Sequence, residues 1–199
     1  GVVGLIEDAS RVVRRAFRTE GDVIVLLGES HGELGGSEYL SVMHGAIRGV
    51  PPVLDLDREA SLQRVLIDGA SAGMIRSAHD CSEGGLAVTL VECCIDVSVG
   101  ADIDVPSASS PPEGFEDIAT LFGESASRAV ISVSPEREAD LLALAGRAQV
   151  PARRIGVIGG SRIRISIDGR GVLDESLSDV AHVWSTAIER RLEAAQAVA

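Results

Sequence analysis

A layered α/β or α+β domain, with helices packed on a mixed β-sheet, is the fold class this sequence predicts, and three features carry the prediction. Val23-Ile-Val-Leu-Leu27 is a continuous apolar run closed by Gly28, the mark of a strand buried on both faces. Short strand-like runs alternate with helical stretches along most of the chain, as βα units do. Near the end, Arg162-Ile-Arg-Ile-Ser-Ile167 alternates cleanly and Asp168-Gly169 turns it back on Val172-Leu173, a half-solvated hairpin that makes the sheet mixed.

The elements come in order. Gly1-Val-Val-Gly-Leu-Ile-Glu-Asp8 starts without methionine and reads as if already inside a strand, so a piece of a longer polypeptide is expected. After the strand at 23–27 comes a glycine-rich loop, Gly28 to Ser37, and a helix through about Ile47. Pro51-Pro52 breaks the chain, and Asp55 or Asp57 caps a helix carrying Leu62, Val65, Leu66 and Ala70 on one face. Ser77-Ala-His-Asp80 is a strand end, and Leu86 to Ile95 is a helix with Ala87, Leu90, Val91, Cys94 and Ile95 at helical spacing. Ala101–Val105 is a strand, Pro106–Pro112 a loop, Phe115–Leu121 a short helix and Arg128–Val133 a strand. Pro135 opens a helix over Glu136–Ala148, and Ile155–Ile158 is a strand. Ser176 caps a last helix bearing Leu177, Val180, Trp184 and Ile188 on its inward face.

Composition narrows the function classes. The chain has 199 residues, 45% of them hydrophobic and 24% charged, and its 18 basic residues are all arginine. A chain of this size buries roughly 70% of its unfolded surface and needs no disulfide or metal to fold. With no lysine there is no P-loop Lys and no Schiff-base chemistry; with no asparagine there is no N-glycosylation sequon. A net charge of −12 argues against nucleic acid and against an anionic membrane surface, because phosphate affinity rests on basic residues. Cys81, Cys93 and Cys94 show no metal-ligand spacing, and no signal peptide or long apolar run is present, so a cytoplasmic setting is expected.

Three segments could carry chemistry. In the first, Gly28, Gly35, Gly36 and Ser37 lie where backbone N–H groups could cradle a phosphate at a helix N-terminus; a plain tight turn is the alternative. In the second, Asp80 stands at a strand end beside Ser82 and the helix-opening pair Gly84-Gly85. There a carboxylate could hold Mg²⁺ while amides hold the phosphate it bridges, with His79 touching substrate. Alternatively Asp80 is a cap and His79 structural. In the third, Glu124, Ser125 and Arg128 could face a polar ligand, Arg128 offering a planar fork; a surface ion pair is the alternative.

Taken in order, Gly4-Leu-Ile-Glu-Asp8, Leu27-Gly-Glu-Ser-His-Gly-Glu-Leu-Gly-Gly-Ser-Glu-Tyr-Leu40, Ala78-His-Asp-Cys-Ser-Glu-Gly-Gly-Leu-Ala87 and Leu121-Phe-Gly-Glu-Ser-Ala-Ser-Arg128 resemble the formylglycinamidine ribonucleotide synthetase family. The resemblance is to its last domain, a C-terminal-type domain of the aminoimidazole ribonucleotide synthetase superfamily, and it spans essentially residues 1–199. It implies a role in purine biosynthesis. The intact enzyme converts formylglycinamide ribonucleotide, ATP and glutamine-derived ammonia to the amidine, with Mg²⁺ and ATP/ADP as cofactors. It also implies partners, namely the N-terminal domains of the same polypeptide and a glutaminase subunit or domain, and inactivity of this domain alone. By resemblance, Asp80 matches the position that is a magnesium ligand in the family's first-half copy of this domain, and Glu124 and Ser125 match the start of that copy's substrate-contacting Glu-Ser-Gln motif. Two departures weaken a working substrate site: Ser82-Glu-Gly-Gly85 replaces Ser-Asp-Gly-Gly, and Ala126 replaces a glutamine that could donate a hydrogen bond. Aminoimidazole ribonucleotide and selenophosphate synthetases, or a scaffold half with a vestigial nucleotide site, are the alternatives.

Overall fold

The computed structural model describes residues 3–196. A seven-stranded sheet forms its centre, with strands β1 (Val23–Leu27), β2 (Ile75–Asp80), β3 (Ala101–Val105), β4 (Ala129–Val133), β5 (Ala152–Ile158), β6 (Arg162–Ile167) and β7 (Arg170–Ser176). Their order across the sheet is β2-β4-β1-β5-β3-β6-β7. Only β3 and β6 pair in parallel; every other neighbouring pair is antiparallel. The expected mixed sheet is therefore present.

Helices α1 (Glu38–His44), α2 (Leu56–Ser71), α3 (Gly85–Ile95), α4 (Glu116–Phe122), α5 (Glu138–Arg147), α6 (Leu177–Ser185) and α7 (Ala187–Gln196) complete the chain. β1-α2-β2 is a split βαβ unit, because β4 lies between its two parallel-running strands. β4-α5-β5 is a second, split by β1. Interleaving them places β1 at the centre of its half of the sheet. All five of its residues are buried, as its unbroken apolar run requires.

Alternation along β1 divides the core in two. Val23, Val25 and Leu27 face a cluster with Leu62 and Val65 of α2 and Leu141 and Ala145 of α5. Ile24 and Leu26 face the opposite cluster, with Leu86, Leu90, Cys93 and Cys94 of α3, Ile163 and Ile165 of β6, and Leu177 of α6. A Leu90→Ala change there costs about 2–5 kcal/mol.

Several expectations are corrected. Residues 3–8 form no strand, and Gly1 and Val2 lie outside the described residues. α1 ends at His44 rather than near Ile47, because Gly45 takes a left-handed conformation (φ 60°) and its N–H caps the helix. The last helix is broken at Thr186, whose hydroxyl donates to the His182 carbonyl (2.7 Å) and so competes with the helical ladder. Trp184 is 50% and Ile188 78% exposed, so neither packs inward as expected. No helix among the described residues is long and apolar enough to cross a membrane.

Candidate functional site

Register sets the site. Asp80 at the end of β2 pairs with Ala129 at the start of β4; Ala129 pairs with Leu27 at the end of β1, which pairs with Ala152 at the start of β5. The loops at residues 28–37, 81–84, 123–128 and 148–151 therefore all leave the same end of the sheet. There they frame two adjoining clefts.

The first cleft, about 460 Å³, lies between α2, the end of β2 and the 123–128 loop, and is lined by His79, Asp80, Ser82, Glu124 and Arg128 together with Glu59. Five of the anticipated site residues thus converge. The Asp80 side chain is 74% exposed, and His79 Nδ1 lies 3.1 Å from its Oδ1. Partial burial pushes the Asp80 carboxyl upward, but hydrogen bonds from Ser82 and His79 outweigh it and hold the group below the usual carboxylate range. On its other side His79 Nε2 meets Glu92 Oε2 at 2.8 Å, and Glu92 pairs with Arg15 at 3.2 Å. His79 is thus anchored from behind rather than free to swing into the cleft.

Glu124 has a different task. Its Oε1 accepts the N–H of Glu38, the first residue of α1, and the N–H of Gly84, the N-cap of α3, each at 2.9 Å. One carboxylate therefore occupies two orphan donors and favours both positive helix ends. Gly84 and Gly85 both take positive φ (79° and 66°), and a Cβ on Gly85 would fall 2.7 Å from the Gly123 carbonyl oxygen. Only glycine lets the start of α3 approach this loop so closely.

Arg128 and Ser125 face inward. Arg128 is 3% exposed and Ser125 wholly buried. The guanidinium donates from Nε to the Ser125 carbonyl (2.9 Å), from Nη2 to the Gly123 carbonyl (2.6 Å) and from Nη1 to Ser30 Oγ (2.8 Å). Burial lowers the Arg128 pKa from its usual value, yet a guanidinium stays charged. Ser125 Oγ accepts the His31 N–H at 3.0 Å, and the Glu124 N–H donates to the Glu33 carbonyl at 2.9 Å. The open fork toward a ligand expected of Arg128 is corrected: its fork clamps its own loop.

The glycine loop likewise spends its donors internally. Gly28 N–H donates to the Pro151 carbonyl (2.8 Å), Gly36 N–H to Arg48 (2.9 Å) and Ser37 N–H to Leu34 (3.2 Å). Ser37 is buried and caps α1, its Oγ accepting from Leu40 N–H at 3.4 Å. Gly35 is packed against the backbone of Val50. Gly28 lines the second cleft, of about 350 Å³, shared with His31, Arg58, Ser61 and Gln149.

As folded, these donors do not fit a phosphate, whereas the exposed, ionised carboxylate of Asp80 beside the Ser82 hydroxyl fits a single-carboxylate Mg²⁺ contact. Among the described residues no group of three or more His, Cys, Asp or Glu side chains is arranged to hold a metal ion. Burial pushes the Cys81 thiol up against the lowering effect of Arg128, and burial alone pushes Cys94 up to about 12. Neither is a thiolate nucleophile.

Sequence reasoning missed Glu59, whose Oε2 accepts from Ser127 Oγ at 2.7 Å, and the Glu92–Arg15 support of His79. Glu59 was findable, because it shares the i, i+3, i+7 face of α2 with Leu62 and Leu66. Glu92 was not, because nothing local points α3 at β2.

A mixed sheet of interleaved split βαβ units, with polar loops gathered at one sheet end, defines a layered α/β domain. The chain belongs to the family described as AIR synthase related protein, C-terminal domain, which it matches over residues 19–168. It is similar to the phosphoribosylformylglycinamidine synthase subunit PurL of Thermobifida fusca, 48% identical over 176 residues, covering 84% of this chain and 22% of that protein. The subunit of the same name from Thermoanaerobacter pseudethanolicus is 42% identical over 193 residues, 97% of this chain and 26% of the relative. The chain therefore spans about a quarter of the length of these curated relatives. Among solved structures, Thermotoga maritima PurL complexed with FGAR superposes with a TM-score of 0.75 at 19% identity, over 87% of this chain and 30% of that one. A HypE–HypF complex shares the fold more distantly, with a TM-score of 0.55 at 18% identity over 82% of this chain and 56% of that one.

Proposed function

We propose that residues 1–199 are the C-terminal domain of a phosphoribosylformylglycinamidine synthase, the ATP-dependent C–N ligase of purine biosynthesis acting in the cytoplasm. The observation that carries this reading is identity of 42% over 97% of the chain to about a quarter of such a subunit. Its partners in that reading are the preceding domains of the same polypeptide and a glutaminase supplying ammonia.

Within that enzyme the domain contributes walls rather than a complete nucleotide site. Asp80 would hold Mg²⁺ on its exposed carboxylate, and the metal would supply charge neutralisation for phosphate oxygens. Glu124 keeps the α1 and α3 amides filled, and Arg128 keeps the 123–125 turn rigid. The chain alone is expected to bind Mg·ADP undetectably by calorimetry; binding that Asp80→Ala abolishes would overturn this account of the cleft. For the enzyme assignment, the Thermobifida fusca subunit carrying this chain in place of its matched segment should form the amidine from ATP, ammonia and formylglycinamide ribonucleotide. A soluble but inactive hybrid would overturn the assignment, as would amidine formation by the 199-residue chain by itself.

A further inference from the structure

We propose that the segment from Met43 to Leu56 is the surface on which an adjoining domain of the longer synthetase docks, an inference that rests on the domain reading above. Of the described residues 42–58, Ala46 alone is buried and Pro52 half-buried. Yet the segment is rich in large aliphatic side chains: Met43, Ile47, Val50, Val53, Leu54 and Leu56 are 63%, 89%, 81%, 75%, 57% and 72% exposed. Single exposed aliphatics are ordinary on a protein surface, but six spaced closely along one segment mark a surface that another apolar face covers.

This is not an unstructured loop. Its backbone is fixed to the body while its side chains point away. Gly36 N–H donates to the Arg48 carbonyl at 2.9 Å, and Val53 N–H donates to Glu33 Oε1 at 2.9 Å. Gly35 and Gly49 meet backbone to backbone, where a Cβ on Gly49 would fall 2.8 Å from Gly35 Cα. The glycine loop that spends its amides internally thus acquires a use: it is the seat that holds this strip outward. Tyr39 stacks on Phe122 (5.5 Å between ring centroids) and ties α1 to the body by its opposite side.

The occupant is a complementary apolar face within the same polypeptide. Relatives that match 97% of this chain have about three-quarters of their length outside the match, so a covering surface of that size is at hand. Inter-domain faces of multidomain chains bury apolar centres of this kind.

The chain carries its own probe, because of its two methionines Met43 is exposed and Met74 packs partly against the core. Peroxide oxidation, read by mass spectrometry, should modify Met43 rapidly in the isolated chain. In the Thermobifida fusca hybrid it should be slowed at least tenfold relative to Met74. An Ile47→Asp/Leu54→Asp hybrid should regain rapid oxidation, while the same pair leaves the thermal melt of the isolated chain unchanged because both side chains face water. Rapid Met43 oxidation in an active hybrid would overturn the docking surface and leave the domain reading standing. Protection in an inactive hybrid would overturn the domain reading and, with it, the named occupant. Concentration-dependent protection in the isolated chain, with dimers by sedimentation, would assign the strip to a second copy and overturn the proposal.

Discussion

On one wall of the cleft Asp80 and Ser82 hold their polar atoms in water; on the other, Arg128 is 3% exposed and bonded to the Gly123 and Ser125 carbonyls of its own loop. Both walls are short Gly- and Ser-rich turns, and each side brings one acidic residue to the cleft, Asp80 from the end of β2 and Glu124 from the 123–128 loop. They differ in the element that each turn enters. Residues 81–85 lead into α3, with Ser82 and Glu83 exposed between the buried Cys81 and Gly85. Residues 123–128 must span from α4 to the fully buried start of β4, and their carbonyls need a donor. Arg128 is that donor, so one wall is available to a ligand and the other is a strut.

The sharpest way to break this comparison is to remove the strut. Arg128→Ala leaves the Gly123 and Ser125 carbonyls buried and unpaired, and should lower stability by about 3–5 kcal/mol in urea unfolding. Arg128→Lys should recover little, because one ammonium cannot replace a fork that reaches three acceptors. A loss below about 1 kcal/mol for the alanine variant would mean that the loop does not depend on its arginine.

Glu124 comes next. Glu124→Ala should cost about 2 kcal/mol and Glu124→Gln about half as much, since the amide keeps an acceptor for Glu38 and Gly84 but not the charge. The alanine variant should also shift the Gly84 amide resonance on titration with inorganic phosphate, where the parent does not respond. An equal response in both would show that the carboxylate does not fill the position. His79→Gln should cost about 1 kcal/mol by loosening the Glu92 contact, seen as a lower thermal midpoint.

Asp80 should matter least to folding: Asp80→Asn stays within about 0.5 kcal/mol at neutral pH. Its pH dependence has a definite sign. Because its folded pKa lies below the ordinary value, its contribution is complete above that value and is lost as pH falls through the lower folded one. The variant should therefore show a shallower loss of stability in acid. Asp22 has the opposite sign. Burial raises its pKa despite the Arg76 ion pair at 2.8 Å, and its Oδ2 has no partner among the described residues. Its contribution is complete below the ordinary value and is lost as pH climbs through the raised folded one. Asp22→Asn should flatten that part of the profile, and an unchanged profile would count against the burial of its charge.

The central strand, the α3 start at Gly84-Gly85, the Asp55 cap and the terminal hairpin were all legible in the residues, because each depends on neighbours within a few positions. The gathering of His79, Asp80, Ser82, Glu124 and Arg128 at one cleft was legible only as separate motifs. The direction each side chain takes was not. Arg128 answers carbonyls exposed by its own turn, Gly36 answers Arg48, Gly28 answers Pro151, and Trp184 stands half exposed on α6.

Local chemistry alone determined where most strands and helices form, which turns need glycine, and the family to which the ordered motifs point. Tertiary structure decided which polar groups stay free. A buried donor or acceptor must find a partner, and the chain supplies that partner from wherever the sheet register brings it. Arg128 and Ser30, 98 positions apart in the chain, meet for that reason.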